Sequence, residues 1–430
     1  MPLPPGHVGI PPIGETRAFT ADPFGFIATR VAEHGPVFRT HVAGRHTVVV
    51  AGPEGTTLFS DPAKVKRAGA LPHHVCRLFG LGASNQLDGE DHLRVKTRVL
   101  AAMSLEALQS YSPAISATVR AHVARWRSEG TVSLVAEARR LAFALVADNV
   151  FGVSDPRAVD RLMHDYTSIL EATNSLPINL PFLDFGQGLA ARDRAFATYT
   201  AIVQQRRSAP TRDGVSRILA AEGPGAPLSD AEVVKEMHHL VVAGFIVYAW
   251  MVAGVTVLHR QPGLVAPLRS ATAGLEDARE QAECVELVHF VDEVRRTTPV
   301  IPAMFGLAAT ELSVGGYAVP EGWQVMWGVH ASHNAPRAAA FTNPERFDPR
   351  RFSRGEQSTC HHAFAPQGGG PPAGHLCAGV DYSGLLLRSF FAEWLRGGWT
   401  VPTQDLELDP AAFPPEPRDG LRVRFETGAA

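Results

Sequence analysis

Hydrophobic and polar positions follow two different periods near the N-terminus of the chain. Apolar side chains recur every three to four positions in Pro23–Glu33, which predicts a helix that ends at His34-Gly35. β-Branched residues then cluster in Pro36–Val42 and in Thr47–Gly52, on either side of Gly44-Arg45. This arrangement predicts a β-hairpin directly after the first helix.

Long helical periodicity dominates the middle of the chain. It runs through Val99–Trp126, Val132–Phe151 and Asp230–His259, and the last of these is the longest apolar helix that the pattern predicts. Ser229 and Glu232 have the spacing of a capping box at its start. We therefore expect a helical core in which Asp230–His259 is the central helix.

Strand patterns are short and lie mostly toward the C-terminus. They cover two stretches around a turn in Thr310–Pro320, then Trp399–Val401 and Leu421–Phe425. No linker, repeat or low-complexity segment divides the chain. The pattern predicts a mainly α fold with small β-sheets (α+β), in one large domain over residues 1–430.

Composition narrows the classes of function. Of the 430 residues 45% are hydrophobic, which is ample material for a core, and the formal net charge is -3. This balance gives no reason to expect a nucleic-acid partner. Met1–His7 has neither an apolar run nor a basic leader, so we expect a cytoplasmic protein without a signal peptide or membrane anchor.

One cysteine at the end of a glycine-rich loop is the strongest chemical signal. Phe364–Gly379 sets Gly368–Gly370 and three prolines before Cys377, and an apolar helical pattern follows in Tyr382–Leu395. Glycines let the backbone approach a flat cofactor closely, and N–H groups at a helix start stabilise an anionic sulfur. No Cys-x-x-Cys pair is present, so an isolated thiolate suits a haem iron better than zinc. The alternative is a buried structural cysteine.

Three more segments extend this signal. Glu293 and Arg296 lie at i and i+3 of an amphipathic run, Asn343–Phe352 sets arginines among prolines and aromatic residues, and Leu87–Lys96 precedes both. In this order and spacing, and with the cysteine loop, they resemble the cytochrome P450 superfamily over nearly the whole chain. The resemblance implies the cytochrome P450 fold and a buried structural triad. The triad would consist of Glu293, Arg296 and either Arg346 or Arg350.

The same resemblance implies haem b, iron protoporphyrin IX, as the cofactor. Cys377 would be the axial thiolate and therefore the metal ligand. The residues that match the family's propionate-binding positions are His375, His92 and Lys96. The glycines of the predicted haem site are Gly370 and Gly379.

The central helix lacks the proton-relay pair that most oxygen-activating members of the superfamily carry. The Ala243-Gly244 step is present, but Ile246 and Val247 stand at the positions of the acid and the alcohol. Neither side chain can relay a proton. Tyr248 or an ordered water chain is the alternative proton donor. We predict that Ala243, Ile246 and Val247 lie at the reacting centre.

The cysteine loop departs from the superfamily as well, because Gly370 stands where a phenylalanine is usual. It is similar to the loop of the fatty-acid peroxygenase subfamily, which uses hydrogen peroxide and also lacks the acid–alcohol pair. That subfamily has an Arg-Pro in the central helix, where this chain has Val242 and Ala243. The scaffold is thus peroxygenase-like without the fatty-acid anchor. His238 is either a replacement partner for a substrate carboxylate or a surface or hydrogen-bonded histidine.

We therefore expect a haem-thiolate monooxygenase or peroxygenase that oxidises a mainly hydrophobic small molecule in bacterial secondary metabolism. The oxidant would be hydrogen peroxide, or O2 with a ferredoxin and its reductase. Two other classes stay open: an oxidant-free isomerase or dehydratase, and a non-catalytic haem-binding partner of a biosynthetic assembly line. The predicted substrate-pocket residues are Phe79, Asn85, Val242, Phe245 and His238.

Overall fold

A computed structural model describes residues 1–10, 13–173, 175–298, 300–410 and 412–426. The α-helices of these residues are α1 (Thr16–Ala21), α2 (Pro23–His34), α3 (Gly52–Ser60), α4 (His73–Phe79), α5 (Gly89–Ala101), α6 (Leu105–Glu129), α7 (Leu134–Phe151), α8 (Pro156–Ala172), α9 (Asp184–Ser208), α10 (Gly214–Ala220), α11 (Asp230–Phe245), α12 (Tyr248–Arg260), α13 (Val265–Thr272), α14 (Ala278–Glu283), α15 (Val285–Thr297), α16 (Val329–Asn334), α17 (Arg350–Ser353) and α18 (Val380–Leu395). Short 3-10 helices lie at Ser84–Gln86, Pro262–Leu264 and Glu356–Ser358.

The strands are short, as the sequence predicts. They are β1 (Val37–Val42), β2 (Arg45–Val50), β3 (Val65–Lys66), β4 (Thr131–Ser133), β5 (Ala303–Ala308), β6 (Leu312–Val314), β7 (Tyr317–Val319), β8 (Gln324–Gly328), β9 (Trp399–Thr400), β10 (Leu408–Asp409), β11 (Glu416–Pro417) and β12 (Arg422–Phe425). The expectation of a mainly α fold with small β-sheets is confirmed.

The chain divides into two compact units. The first consists of Met1–Arg77, Leu81–Lys96 and Arg295–Cys377. The second consists of Leu78–Gly80, Thr97–Val294 and Ala378–Ala430. One large domain over residues 1–430 stays a prediction.

The first unit is built on a five-stranded sheet in the order β1-β2-β8-β5-β3. The predicted hairpin is confirmed, because β1 and β2 pair antiparallel. β2 also pairs parallel with β8, where Thr47 lies opposite Gln324 and their side chains form a hydrogen bond of 3.0 Å. Val48, Val50 and Trp327 of these strands are at most 1% exposed, so the central pair of strands is part of the unit's core.

The second unit is mostly helical, with β4 and β9 to β12 as its strands, and its long helices meet through aromatic and small residues. The ring of Trp126 in α6 lies 6.4 Å from the rings of Phe390 and Trp394 in α18, in edge-on geometry. A Cβ atom at Gly254 of α12 would overlap the ring of Phe391, so α12 approaches α18 at a point where a larger residue would clash. Packing of this kind fixes the position of α12 along α18.

The predicted central helix Asp230–His259 is wrong in one respect, because it is two helices. Its start is confirmed: the side chain of Ser229 and that of Glu232 form the capping box of α11. The helix is interrupted at Ile246 and Val247, where the N–H of Val247 donates to the carbonyl of Gly244 at 3.3 Å. This i to i−3 bond tightens the turn, and two adjacent β-branched residues favour helix poorly.

A second predicted helix, Val99–Trp126, also divides. α5 ends at Ala101 and α6 begins at Leu105. Ser104 causes the new start, since its hydroxyl accepts the N–H of Ala107 at 3.2 Å as an N-cap. Among the helices of the described ranges, none combines the length and the apolar content that are needed to span a membrane.

Candidate active site

The loop that leads to Cys377 is shaped by glycines and by one histidine. Gly368 and Gly370 have φ values of +103° and +88°, which favour glycine. A Cβ atom at Gly369 would lie 2.7 Å from the imidazole of His362. The N–H of Cys377 donates to the carbonyl of Gln367 at 3.1 Å and joins the two ends of the loop. Glycine is therefore required in this loop by its backbone conformation and by its contact with His362, and the close approach to a cofactor stays a prediction.

His362 anchors this loop to α3 through hydrogen bonds with defined directions. The N–H of Gly370 donates to Nε2 of His362 at 2.9 Å. Nδ1 must then carry the proton, which it donates to Oγ1 of Thr57 at 3.0 Å. That hydroxyl in turn donates to the carbonyl of Pro53 at 2.8 Å. The histidine is thus neutral, and every member of the chain is satisfied.

The sulfur of Cys377 has a side-chain hydrogen-bond donor beside it. Nε2 of Gln367 lies 3.6 Å from Sγ. The oxygen of the same Gln367 side-chain amide accepts a hydrogen bond from the guanidinium of Arg295, which is 5% exposed. Both contacts lie in the first unit.

A buried basic cluster adjoins the same loop. The rings of His92 and His375 lie 4.0 Å apart, and Nζ of Lys96 donates to the carbonyl of Leu376 at 2.5 Å. Asp88 is the nearby acid, with Oδ1 at 3.7 Å from Nε2 of His375. Burial, together with the charges of Arg67, His92 and Lys96, lowers the pKa of His375 well below its ordinary value. The cluster therefore favours anionic ligands.

These residues fit the predicted haem. Two carboxylates from the haem propionates would neutralise the cluster, and His92, Lys96 and His375 would hold them. Arg67 adds to the fit: it is 5% exposed, and its Nε has no hydrogen-bond partner within the described part of the chain. Cys377 follows His375 by two positions in the sequence and would supply the thiolate ligand. Gly379, by contrast, is the N-cap residue of α18 and has a φ of -92°, which any residue can adopt.

The predicted triad needs a correction at its third member. Glu293 and Arg296 are both fully buried in α15, as expected. Arg346 is exposed, and only its backbone carbonyl accepts from Nη2 of Arg296, at 3.1 Å. Arg350 is exposed as well, at 76% of its side chain. The buried arginine of this loop is Arg351, which is 1% exposed and pairs with Glu356.

The break between α11 and α12 carries apolar side chains at the positions of the acid–alcohol pair. Ile246 is 7% exposed and Val247 is 2% exposed, while Val242 is half-buried. Gly244 faces α7, where an added Cβ would lie 2.6 Å from Cγ2 of Val146. Ala243 was also predicted here, but its side chain lies outside the part of the chain that the structure describes.

Of the two interpretations of His238, the structure favours the hydrogen-bonded histidine over a partner for a substrate carboxylate. His238 is fully buried, and both of its ring nitrogens are engaged: Nε2 donates to the carbonyl of Leu78 at 2.9 Å, and Nδ1 accepts from the hydroxyl of Tyr166 at 2.7 Å. Tyr199 donates to Tyr166 at 2.9 Å and completes the chain. Burial lowers the pKa of His238 to about 4, so it stays neutral. The alternative of a hydrogen-bonded histidine is the one confirmed.

Phe245 and Tyr248 face a cavity within the second unit. Their rings lie 5.4 Å apart, and Phe245 also packs on Phe143 of α7 at 5.7 Å. The cavity has a volume of about 310 Å³. Its other lining residues are Arg139, Thr167, Leu170, Glu171, Ala412, Phe413 and Glu416. Phe245 thus belongs to a surface shared with α7 and α8.

Tyr248 has fixed partners in this cavity. Its hydroxyl donates to Oε1 of Glu416 at 3.4 Å and accepts from Nη2 of Arg139 at 3.4 Å. Burial raises its pKa to about 12. Its ring packs against the ring of Phe245 across the break between α11 and α12. The phenol therefore faces Arg139 and Glu416.

The remaining predicted pocket residues lie on short elements before α5. Phe79 is the last residue of α4 and is half-buried. Asn85 lies in the 3-10 helix Ser84–Gln86, and its Oδ1 is buried without a hydrogen-bond partner in the described residues. An orphaned acceptor of this kind is suited to a ligand hydroxyl.

Sequence reasoning missed three residues of this site. Gln367, Arg295 and His362 hold the cysteine loop, yet none was predicted. Gln367 lies within the loop Phe364–Gly379, and Arg295 lies beside Arg296, so both residues adjoin predicted site residues. Their contacts join residues far apart in the chain, and no local pattern signals such contacts.

Comparisons with known proteins agree with this geometry. A sequence profile of the cytochrome P450 family matches residues 4–396. Abscisic acid 8'-hydroxylase 3 of Oryza sativa subsp. indica is 28% identical over 445 residues, which cover 98% of this chain and 86% of that protein.

Solved structures give the same fold. The retinoic acid-bound cyanobacterial CYP120A1 superposes with a TM-score of 0.90 at 26% identity, covering 99% of each chain. A variant of cytochrome P450SP alpha (CYP152B1) superposes with a TM-score of 0.82 at 23% identity, covering 96% of this chain and 99% of that one. At this identity the second likeness shows the fold alone.

Proposed function

Because the chain belongs to the cytochrome P450 family, whose members are haem-thiolate oxidoreductases, we propose that it oxidises a hydrophobic small molecule with hydrogen peroxide as the oxidant. When bound, the haem supplies the oxidising centre. Cys377 would supply its thiolate ligand, and His92, Lys96 and His375 would hold the propionates. The choice of peroxide as the oxidant rests on the buried apolar side chains of Ile246 and Val247.

Proton supply distinguishes the two oxidants. Hydroxylation with O2 consumes two electrons and two protons for each substrate and releases water, so a protein group has to deliver protons. Hydroxylation with H2O2 converts R–H and H2O2 to R–OH and H2O and balances without added protons or electrons. The side chains of Ile246 and Val247 deliver none, and Tyr248 is engaged by Arg139 and Glu416. Peroxide is therefore the oxidant that this helix supports.

The substrate class follows from the apolar character of the predicted pocket. The polar exception is the orphaned Oδ1 of Asn85, which is suited to one hydroxyl of a largely apolar molecule. The names of two similar proteins include abscisic acid and retinoic acid. Both compounds are mainly hydrocarbon, and they are the first members of a substrate panel for this chain. The predicted contact residues Phe79, Asn85, Val242 and Phe245 remain part of the proposal.

The test compares oxidants on the haem-loaded protein. The panel is incubated with hydrogen peroxide, with a ferredoxin, its reductase and O2, or with no oxidant, and products are measured. We expect product with peroxide and little with the reductase system. Equal turnover with O2 would overturn the choice of peroxide, and product without an oxidant would indicate an isomerase or dehydratase.

A double variant sharpens this test. Ile246→Glu with Val247→Thr installs an acid and an alcohol, and we expect O2-driven turnover to rise by about 10²-fold, the usual worth of a positioned proton donor. Ile246→Leu with Val247→Ala is the matched apolar control, for which no such rise is expected. The carbon monoxide difference spectrum of each variant reports correctly bound haem. Val247→Thr alone is the fallback if the buried carboxylate of the double variant prevents folding.

A further inference from the structure

We infer that Gln367 is a positioning residue that donates a hydrogen bond to the sulfur of Cys377, and that Arg295 fixes the direction of this bond. The inference rests on the proposed role of Cys377 as the haem ligand. Gln367 is attached to Cys377 twice, because its carbonyl accepts the N–H of Cys377 at 3.1 Å and its Nε2 lies 3.6 Å from Sγ. The backbone bond holds the side chain within reach of the sulfur.

The identity of the donor atom follows from the other partner of the amide. A guanidinium group has only donors, so the group of Gln367 that faces Arg295 must be the oxygen. The NH2 group is then left on the side of Cys377. Rotating the amide would set its NH2 against the guanidinium of Arg295, which is 5% exposed, so two donors would face each other and this hydrogen bond would be lost. The usual ambiguity between amide oxygen and nitrogen does not arise here.

A side-chain N–H at this position acts on the electronic character of the thiolate. It stabilises negative charge on sulfur and reduces the electron density that the sulfur donates to a bound metal. Arg295 strengthens the effect, since a charged donor on Oε1 polarises the amide and makes its N–H a better donor. We therefore expect Gln367 and Arg295 to set the reduction potential of the loaded protein jointly.

The test measures the reduction potential and the absorption maximum of the haem-loaded variants, and neither readout needs substrate or oxidant. Gln367→Leu removes the donor at similar volume, and we expect a potential more negative than that of the wild type. Gln367→Glu keeps a partner for Arg295 but sets a carboxylate oxygen toward the sulfur, so its potential should be lower still. Gln204→Leu, on the exposed side of α9, is the matched control and should change neither readout.

Coupling between the two residues is tested with Arg295. Arg295→Leu frees the amide to rotate, so its potential should shift in the same direction, and adding it to Gln367→Leu should produce no further shift. Arg295→Lys retains a donor to Oε1 and should restore much of the wild-type potential. A purely structural role would instead lower stability in all of these variants without this order of potentials.

Two outcomes would overturn the inference. The first is a folded, haem-loaded Gln367→Leu protein with the potential and absorption maximum of the wild type. The second outcome applies if Gln367→Leu does not fold. In that case equal potentials for Gln367→Glu and Arg295→Lys would refute the hydrogen bond, because the inference requires these two potentials to differ. Absence of peroxide-driven turnover, together with the expected order of potentials among the variants, would count against the proposed function and leave this inference standing.

Discussion

Arg296 shows at the scale of a single residue how a buried side chain joins separate parts of the backbone. It is fully buried, and Nη1 donates to the carbonyls of His333 and Pro344, each at 2.7 Å. Its guanidinium also lies 5.0 Å from the centre of the Phe341 ring. A single guanidinium thus donates to a carbonyl of α16 and to one of the loop at Pro344, and both precede the segment that carries Cys377 in the sequence.

Removing this guanidinium is expected to be costly. Arg296→Met leaves at least two buried carbonyls without a donor, and we expect a loss of ~3 kcal/mol or more in the free energy of unfolding. Denaturant unfolding of the haem-loaded protein measures it. Arg350→Met is the matched control, since the side chain of Arg350 is 76% exposed, and it should cost less than ~0.5 kcal/mol. Similar losses in the two variants would contradict this account of Arg296.

At the scale of elements, the approach of α11 to α7 depends on one glycine. Alanine usually stabilises a helix relative to glycine by ~1 kcal/mol. At Gly244 the added Cβ would lie 2.6 Å from Cγ2 of Val146, a distance at which the helices have to move apart. The clash therefore outweighs the gain in helix propensity.

Gly244→Ala is expected to lower the free energy of unfolding by ~1–3 kcal/mol. Val146→Ala removes the methyl group that clashes, so the double variant should lose less than the sum of the two single losses. Thermal and denaturant unfolding of the four proteins complete the cycle. Additive losses would show that Val146 does not limit the contact.

How far the elements could be predicted depends on the range of the interactions that form them. The capping box at Ser229 and the hairpin around Gly44 are local patterns, and both were predicted. The interruption at Ile246 and Val247 was not, because two apolar residues fit a continuous helix equally well.

The predicted site residues follow the same rule. His92, Lys96 and His375 were predicted from family motifs, and they lie together in the structure. The role of His238 depends on Tyr166, which is 72 residues away in sequence. Arg351 and Arg346 have the same chemistry within one loop, so only the fold decides which of them is buried. The sequence alone contains neither answer.

At the scale of the whole molecule, acid is expected to act through buried neutral histidines. Burial lowers the pKa of His238, His330 and His333 to about 4 from an ordinary value of 6.5. Below pH 6.5 the unfolded chain binds protons at these positions that the folded chain does not bind until about pH 4. Stability therefore falls as the pH is lowered through this window, and these histidines cause no pH dependence above it.

Each such histidine lowers the free energy of unfolding by at most ~3 kcal/mol across this window, and the loss begins on the acid side of pH 6.5. Denaturant unfolding at a series of pH values measures the slope. In His238→Gln the slope should be smaller by about one proton, because that group no longer titrates. His46→Gln, at an exposed position, is the control and should keep the wild-type slope. An unchanged slope in His238→Gln would refute the assignment.

The parallel pairing of β2 with β8 has a consequence for how the chain is made. Thr47 and its partner Gln324 are 277 residues apart, so a growing chain displays one edge of β2 until most of the polypeptide has been synthesised. Unpaired strand edges template aggregation, and pairings of such long range form slowly. The N-terminal hairpin is therefore expected to leave the ribosome with one open sheet edge, which stays exposed until β8 has been synthesised.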